Sequence, residues 1–562
     1  MTTLIHTFVG INEVLRETFK HVMSSFARDR GDLLSLALVC RRFREPALDQ
    51  LWYHIPDFTP LFRLWTISDL VVVINCHYVF TRPMTSADWQ IYDYYAGKVR
   101  SVGIMLAQIQ RGAEGPTRTV STEGFYQSLN LGVASRANSD APFLPNLLQI
   151  SLSASHICDL QGAITMIRGS RRLESITFDA PIVVPSQIWK KLLLEIKDCG
   201  VHLRELEIFA LNCSDTPDPP NSHVWSLLVD LLEHLEISKA TLPYRICNST
   251  ELLSRIGHLP SLHVLALEGD DSRTGSTHSL SPPRHFRQFD APRRLDATPS
   301  CLQYLYSSEI VFRNLTKLTM RGWGGDSIQW GQIRRTLVAV GVSCPALQIL
   351  LWADQAEGEL TPGEGDDVVS STSAICPLRH CTELRQVTLD FEVTMLSTTP
   401  CDFNPTDQDW ADCVGSWPKL EHVSYNCAVV KRLCPSLSSR FQLVPRATLQ
   451  SLSYFAQHCK HLVSINIPVQ ATVTLRPIMV ARFSPTLQCL ELLTSWIDDN
   501  GVGPTARFLA KVIRDTDANV VIPTFTSQAD VIFNCDLEAE VEEAKRCRRW
   551  QRALEMMHAL GE

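Results

Sequence analysis

Cys344-Pro345-Ala346-Leu347-Gln348-Ile349-Leu350-Leu351-Trp352 holds the pattern that governs most of this chain. A turn residue and a proline precede a leucine, and further apolar residues follow it at plus three and plus five. The triplet returns as Leu147-Ile150-Leu152, Leu173-Ile176-Phe178, Leu203-Leu206-Ile208, Leu262-Leu265-Leu267, Leu315-Leu318-Met320, Leu384-Val387-Leu389, Leu420-Val423-Tyr425, Leu462-Ile465-Ile467 and Leu487-Leu490-Leu492. So loose a triplet recurs by chance on the order of five to ten times in a chain of ordinary composition, so spacing and flanks must decide. Most steps between first leucines are 25 to 42 residues and two exceed 50, the range of repeat arrays. The step from 203 to 262 leaves room for a unit at Leu232-Leu235-Ile237. Leu144-Pro145, Leu259-Pro260, Cys381, Trp417-Pro418, Cys459 and Ser484-Pro485 stand before their triplets as turn residues stand before a strand.

The fold class that follows is α/β: a solenoid of leucine-rich-repeat type over 141–500, with parallel strands on a concave face and helices outside. Loop insertions are expected near 270–300, where Ser, Arg and Pro dominate, and near 354–372, which is acidic and Gly-rich. Residues 501–562 are expected to cap the array with an amphipathic helix whose apolar positions are Leu537, Val541, Ala544, Trp550, Leu554 and Met557. Period-two alternation buries the second and third residues of each triplet and turns those between them outward. The outward positions Glu205, Glu207, Glu268, Lys317, Arg321, Ile349, Leu351 and Asp390 are therefore candidate target-binding residues. Ile349 and Leu351 suit either an apolar interface anchor ringed by charge or a surface covered by an insertion.

Ahead of the array, residues 9–56 read as a separate all-α module. Val14, Leu15, Phe19 and Val22 share one side of a helix for which Asn12 is a candidate N-cap. Asp32 can cap a second helix carrying Leu33, Leu36, Val39, Cys40 and Phe43, with Arg41, Arg42 and Arg44 in its last turn. Pro46 suits the first turn of a third helix, on which Leu48, Leu51 and Trp52 pack back before Pro56. Three short helices bury little, so the module is expected to lean on neighbouring sequence or a partner. Residues 57–140 read as a helical linker region with an apolar piece at Leu61 to Ile74, a helix near Asp93 to Arg100 and a loop from Gly112 to Gly132.

The run Asp-Leu-Leu-Ser-Leu-Ala-Leu-Val-Cys-Arg-Arg-Phe at 32–43, with Leu51-Trp52 after it, resembles the F-box. The stretch Phe80 to Val102 is similar to the region following the F-box in fungal, basidiomycete-type F-box proteins with divergent leucine-rich repeats. The resemblance implies docking on a Skp-type adaptor, and through it on a cullin, with the repeats selecting an unknown target protein for ubiquitination. The adaptor-binding positions it implies are Val14, Leu15, Leu33, Leu36, Val39, Leu51 and Trp52. The family opens with Leu-Pro just before the acidic residue that corresponds to Glu13, where this chain has Gly10-Ile11. A repeat scaffold without ligase docking is the alternative reading.

The chemistry of the remaining residues narrows the field. With 52 Lys and Arg against 60 Asp and Glu, the net charge of -8 offers no general attraction to nucleic acid. The 18 cysteines are dispersed without a C-x-x-C pair, as buried reduced thiols would be. Met1 to Gly10 lacks the basic and apolar regions of a secretory signal, and the apolar run Leu70 to Ile74 is too short to span a bilayer. A cytoplasmic or nuclear protein without membrane contact is expected. Cys376, His380 and Cys381 lack a further ligand pair at metal-binding spacing, and the adjacent pairs His380-Cys381 and His458-Cys459 point to opposite faces of a strand. Gly322-Trp323-Gly324-Gly325 lacks the Lys-Ser or Lys-Thr of a phosphate loop. No cofactor, metal or catalytic residue is implied, and the expected role is that of a non-catalytic ligase subunit.

Overall fold

The computed structural model describes most of the chain; 1–11, 23–28, 105–140, 214–222, 269–288, 322–329, 357–374, 396–404, 472–479, 523–536 and some short stretches lie outside the described residues. The chain divides into two compact units, Met1–Leu262 and His263–Glu562.

The first unit opens on three helices, α1 (Asn12–Val22), α2 (Asp29–Val39) and α3 (Arg41–Tyr53). The break between α2 and α3 falls at Cys40, whose extended backbone (φ -158, ψ 162) ends one helix and caps the next without a side-chain bond. Arg41, Arg42 and Arg44 thus begin α3 instead of ending α2, and Pro46 lies inside α3. Sequence pattern misplaces this boundary because apolar spacing runs on through Cys40 while only the backbone turns. Phe19 of α1 meets Phe43 of α3 edge to face at 5.7 Å, and Arg16 pairs with Asp49 at 2.9 Å.

The module runs into the sheet without a linker. Strand β1 (His54–Ile55) follows Tyr53 directly and pairs in parallel with β4 (Ser101–Ile104). Between them lie the antiparallel pair β2 (Val71–Ile74) and β3 (His77–Phe80) and helix α4 (Ser86–Ala96). Region 57–140, expected as helical, thus also contributes strands, and its helix lies earlier than Asp93 to Arg100. Thr85 and Asp88 close a capping box at the start of α4, each side chain bonding the other's backbone N–H.

The rest of the first unit alternates strand and helix. It comprises β5 (Gln149–Ser153), α5 (Ile157–Ile167), β6 (Ser175–Asp179), α6 (Ser186–Cys199), β8 (Glu205–Ile208), α7 (His223–His234), β10 (Lys239–Pro243) and α8 (Thr250–Gly257). The order β1-β4-β5-β6-β8-β10 is parallel throughout, and the short β7 (Val183–Val184) and β9 (Asn212–Cys213) pair beside it.

In the second unit the strands are β11 (Val264–Glu268), β12 (Arg294–Ala297), β13 (Lys317–Arg321), β14 (Ile349–Ala356), β15 (Gln386–Met395), β16 (His422–Cys434), β18 (Ser464–Asn466), β19 (Cys489–Glu491) and β20 (Asn519–Val521). They pair in parallel in that order, and β17 (Leu437–Gln442) folds back antiparallel on β16. Helices α9 (Trp330–Ser343), α10 (Asp407–Val414) and α11 (Leu449–His458) come between strands. Helix α12 (Val502–Val512) follows β19, and α13 (Leu537–Gly561), the last element, packs on α12. Among the described residues no helix is long and apolar enough to cross a membrane.

All ten triplets lie in the core, each member at most 2% exposed. The turn before eight of them is also regular: the N–H of Leu147, Leu203, Leu262, Leu347, Leu384, Leu420, Leu462 and Leu487 donates to the carbonyl three residues earlier. Pro145, Pro260, Pro345, Pro418 and Pro485 stand second in such turns, where a fixed φ is an advantage. Within each unit one carbonyl then ties a repeat to its successor. Gln348 O, for instance, accepts from the N–H groups of Arg385 and Gln386, and Arg385 O from those of Glu421 and His422.

Two strands were hidden in the sequence. The unit expected at Leu232-Leu235-Ile237 exists in another register: β10 aligns Ala240 with Leu206, so its buried triplet is Ile237-Ala240-Leu242. The interval 270–300, expected as an insertion, includes β12, which pairs Leu295 with both Leu265 and Leu318. Its anchor is the buried Pro292. With both included, steps between anchors run from 23 residues (292 to 315) to 42 (420 to 462). Much of the expected insertion near 354–372 lies outside the described residues.

Candidate functional site

The three-helix module presents one apolar side chain after another to solvent. On α2, Leu33 is fully buried and Ala37 is buried one turn later, which fixes the inward face of the helix. Leu34 and Leu38 then fall on the outward face, 50% and 79% exposed, with Val39 beside them at 65%. A leucine ridge facing water on so small a module is what a docking surface requires. Leu34 and Leu38 were not among the expected adaptor positions. Their i, i+4 spacing was visible in the sequence, but Leu33, Leu34, Leu36, Leu38 and Val39 surround the helix, and no period chooses between faces.

The other expected adaptor positions divide. Leu15, Leu33 and Trp52 are buried; Val14, Leu36 and Leu51 are half-buried; Val39 alone is exposed. Trp52 stacks on Tyr95 of α4 with ring centroids 4.8 Å apart, so it fastens the module to its neighbour. Lys98 strengthens that junction by donating to Glu45 and Asp49 of α3, each at 2.7 Å, and the Tyr94 hydroxyl also donates to Glu45. Burial would lower the Lys98 pKa, but its bonds to Asp49 and Glu45 outweigh it and hold the ammonium above its ordinary value. The bonds from Lys98 and then Tyr94 hold Glu45 below the ordinary carboxylate range. The small module leans on neighbouring sequence, as its thin core demands.

The expected target-binding residues all lie on strands but belong to different units. Glu205 and Glu207 are half-exposed in the first, whereas Glu268, Lys317, Arg321, Ile349, Leu351 and Asp390 are in the second. In the first unit Lys239 neutralises its neighbours, 2.6 Å from Glu207 and 3.9 Å from Glu205. In the second, Lys317 and Ile349 are paired in register, as are Arg321 with Ala353 and Leu351 with Thr388. Asp390 is exposed and accepts from Asn426 at 2.9 Å.

The thiols that stand beside histidines are structural. Cys381 Sγ contacts the carbonyls of Val340 and Cys344, Cys459 Sγ that of Trp417, and burial pushes both thiols up to about 12. Such thiols remain protonated near neutral pH and are poor nucleophiles. Cys376 lies 3.4 Å from Asp409 Oδ1, and among the described residues no group of three His, Cys, Asp or Glu could hold a metal ion.

Comparison with known proteins bears on the first of these surfaces. The F-box-like family model matches residues 13–55, the span of α1 to β1, so the chain carries an F-box-like domain. No curated protein sequence gives a match. A chain from the crystal structure of the Rad7 and Elc1 complex in yeast is similar at 12% identity and a TM-score of 0.24, over 74% of this chain and 80% of that one. At that score it bears on neither the fold nor the partners described here.

Proposed function

We propose that this chain is the substrate-recognition subunit of a Skp-cullin-F-box ubiquitin ligase, with an array of divergent leucine-rich repeats, akin to those of fungal F-box proteins, as its target-binding part. The observation that carries the reading is the exposed ridge of Leu34, Leu38 and Val39 within the F-box-like domain. A Skp-type adaptor would cover that ridge and tie the chain to a cullin. The strand positions facing away from the helices would hold a target protein, and the junction through Trp52 and Lys98 would fasten the adaptor-bearing module to the first unit. Chemistry would then be left to other subunits, and positioning would be this chain's contribution.

The test is co-expression of the full chain with a Skp-type adaptor. Co-purification is expected, and Leu34→Asp with Leu38→Asp should weaken it at least about ten-fold, since each substitution puts a charge into an apolar contact. An adaptor that fails to bind, or binds the double variant equally well, overturns the proposal. The Gly10-Ile11 departure favours a second reading, a repeat scaffold without ligase docking. Binding of a target without any cullin association would establish it.

A further inference from the structure

On the second unit's sheet, two cations of β13 stand without an ion pair among the described residues. Lys317, Thr319 and Arg321 alternate along β13 with the fully buried Leu318 and Met320, so they share the face turned away from the core. In register with Lys317 and Thr319 on the next strand stand Ile349 and Leu351, both half-exposed. One strand away the cation is matched, Arg294 pairing with Asp296 at 2.7 Å. Among the described residues Lys317 and Arg321 make no ion pair or side-chain hydrogen bond. Between them Thr319 is only 6% exposed, so the two cations and not the hydroxyl form the accessible part of the strip.

We infer that this strip binds an acidic segment of a partner protein. Two carboxylates of the segment meet Lys317 and Arg321, and an aliphatic side chain packs against Ile349 and Leu351. The inference rests on the reading of the outward sheet face as the target-binding surface. Charge complementarity selects the occupant. The two cations rise from Cα atoms about 13 Å apart, four strand residues at ~3.3 Å each, a spacing that suits two separate carboxylates better than one phosphate dianion. The neighbouring aliphatics supply the apolar anchor that a charged strip alone would lack.

The experiment uses the full chain and three fluorescein-labelled twelve-residue peptides, read by fluorescence anisotropy. One alternates Glu and Leu, one has Gln in place of every Glu, and one is the Gln peptide with a single phosphoserine. The Glu peptide should bind at least about ten-fold tighter than the Gln peptide and weaken with added salt. Lys317→Glu and Arg321→Glu should each reduce its affinity about ten-fold, and Leu351→Asp should remove binding. Lys190→Glu, on the exposed face of helix α6 in the first unit, should leave it unchanged. Equal binding of the Glu and Gln peptides, indifference to the two charge reversals, or a preference for the phosphoserine peptide would overturn the inference. Adaptor binding is a separate readout. If the adaptor binds and the Glu peptide does not, this inference fails alone; if the Glu peptide binds and the adaptor does not, the ligase role fails and the acidic-segment site stands.

Discussion

Leu38 leaves 79% of its surface in water, although burying a leucine is worth roughly 1.5–3 kcal/mol. Leu34→Asp and Leu38→Asp should therefore change the stability of the free chain by no more than about 0.5 kcal/mol each, a urea titration being the check, while adaptor binding collapses. Asp88 shows the opposite economy. It accepts from Arg82 at 2.7 Å and from both the N–H and the hydroxyl of Thr85 at 2.7 Å, and the bond from Arg82, ahead of those from Thr85, holds its carboxyl well below the usual range. A depressed carboxylate stabilises the fold above its unfolded pKa of about 3.9, and that stability is lost as pH falls below it. Asp88→Asn should cost about 1–2 kcal/mol at neutral pH. Urea midpoints should show its deficit against wild type shrinking as the pH is lowered from about 5 toward 3.

Within a strand, burial alternates residue by residue, and stability should alternate with it. In β14, Leu350 is fully buried and Leu351 half-exposed. Leu350→Ala should cost about 2–5 kcal/mol and Leu351→Ala less than about 1 kcal/mol in equilibrium unfolding; equal costs would contradict the assigned faces. At the junction of α3 and α4, Lys98→Ala removes the cation shared by Glu45 and Asp49. Hydrogen exchange within Arg41–Tyr53 should rise, because the helix keeps its own backbone bonds but loses a tie to the element beside it.

For the molecule as a whole, a repeat array makes stability a sum over neighbours and leaves its ends exposed. Helix α13 covers one such region: Trp550, fully buried, donates from Nε1 to Ser495 O at 3.2 Å, and Arg549 pairs with Asp499 at 3.0 Å. Deleting residues 537–562 should raise hydrogen exchange in β19, α12 and β20 while β13 to β15 keep their protection. Uniform loss of protection across the second unit would show cooperativity longer in range than nearest neighbours.

The local pattern is legible along the chain. The triplets with their turn prolines and cysteines define strand, turn and inward face, because period-two alternation and the restricted φ of proline act within a few residues. The run at 32–43 likewise marked the F-box-like module. Tertiary structure decided what depends on neighbours distant in sequence. Ala240 and Ala297 serve as well as leucines in their strands because the positions are closed off by adjacent repeats, so no hydrophobic signal marked them. The exposed leucines of α2 could be told from the buried ones only once α1 and α3 were in place. The same holds for charge: Lys239 and Lys317 occupy equivalent strand positions, yet the first meets Glu207 on the strand before it, while Asp296, which holds that place beside the second, pairs with Arg294. Pairing is a property of register between repeats some thirty residues apart, which composition and spacing along one chain do not encode.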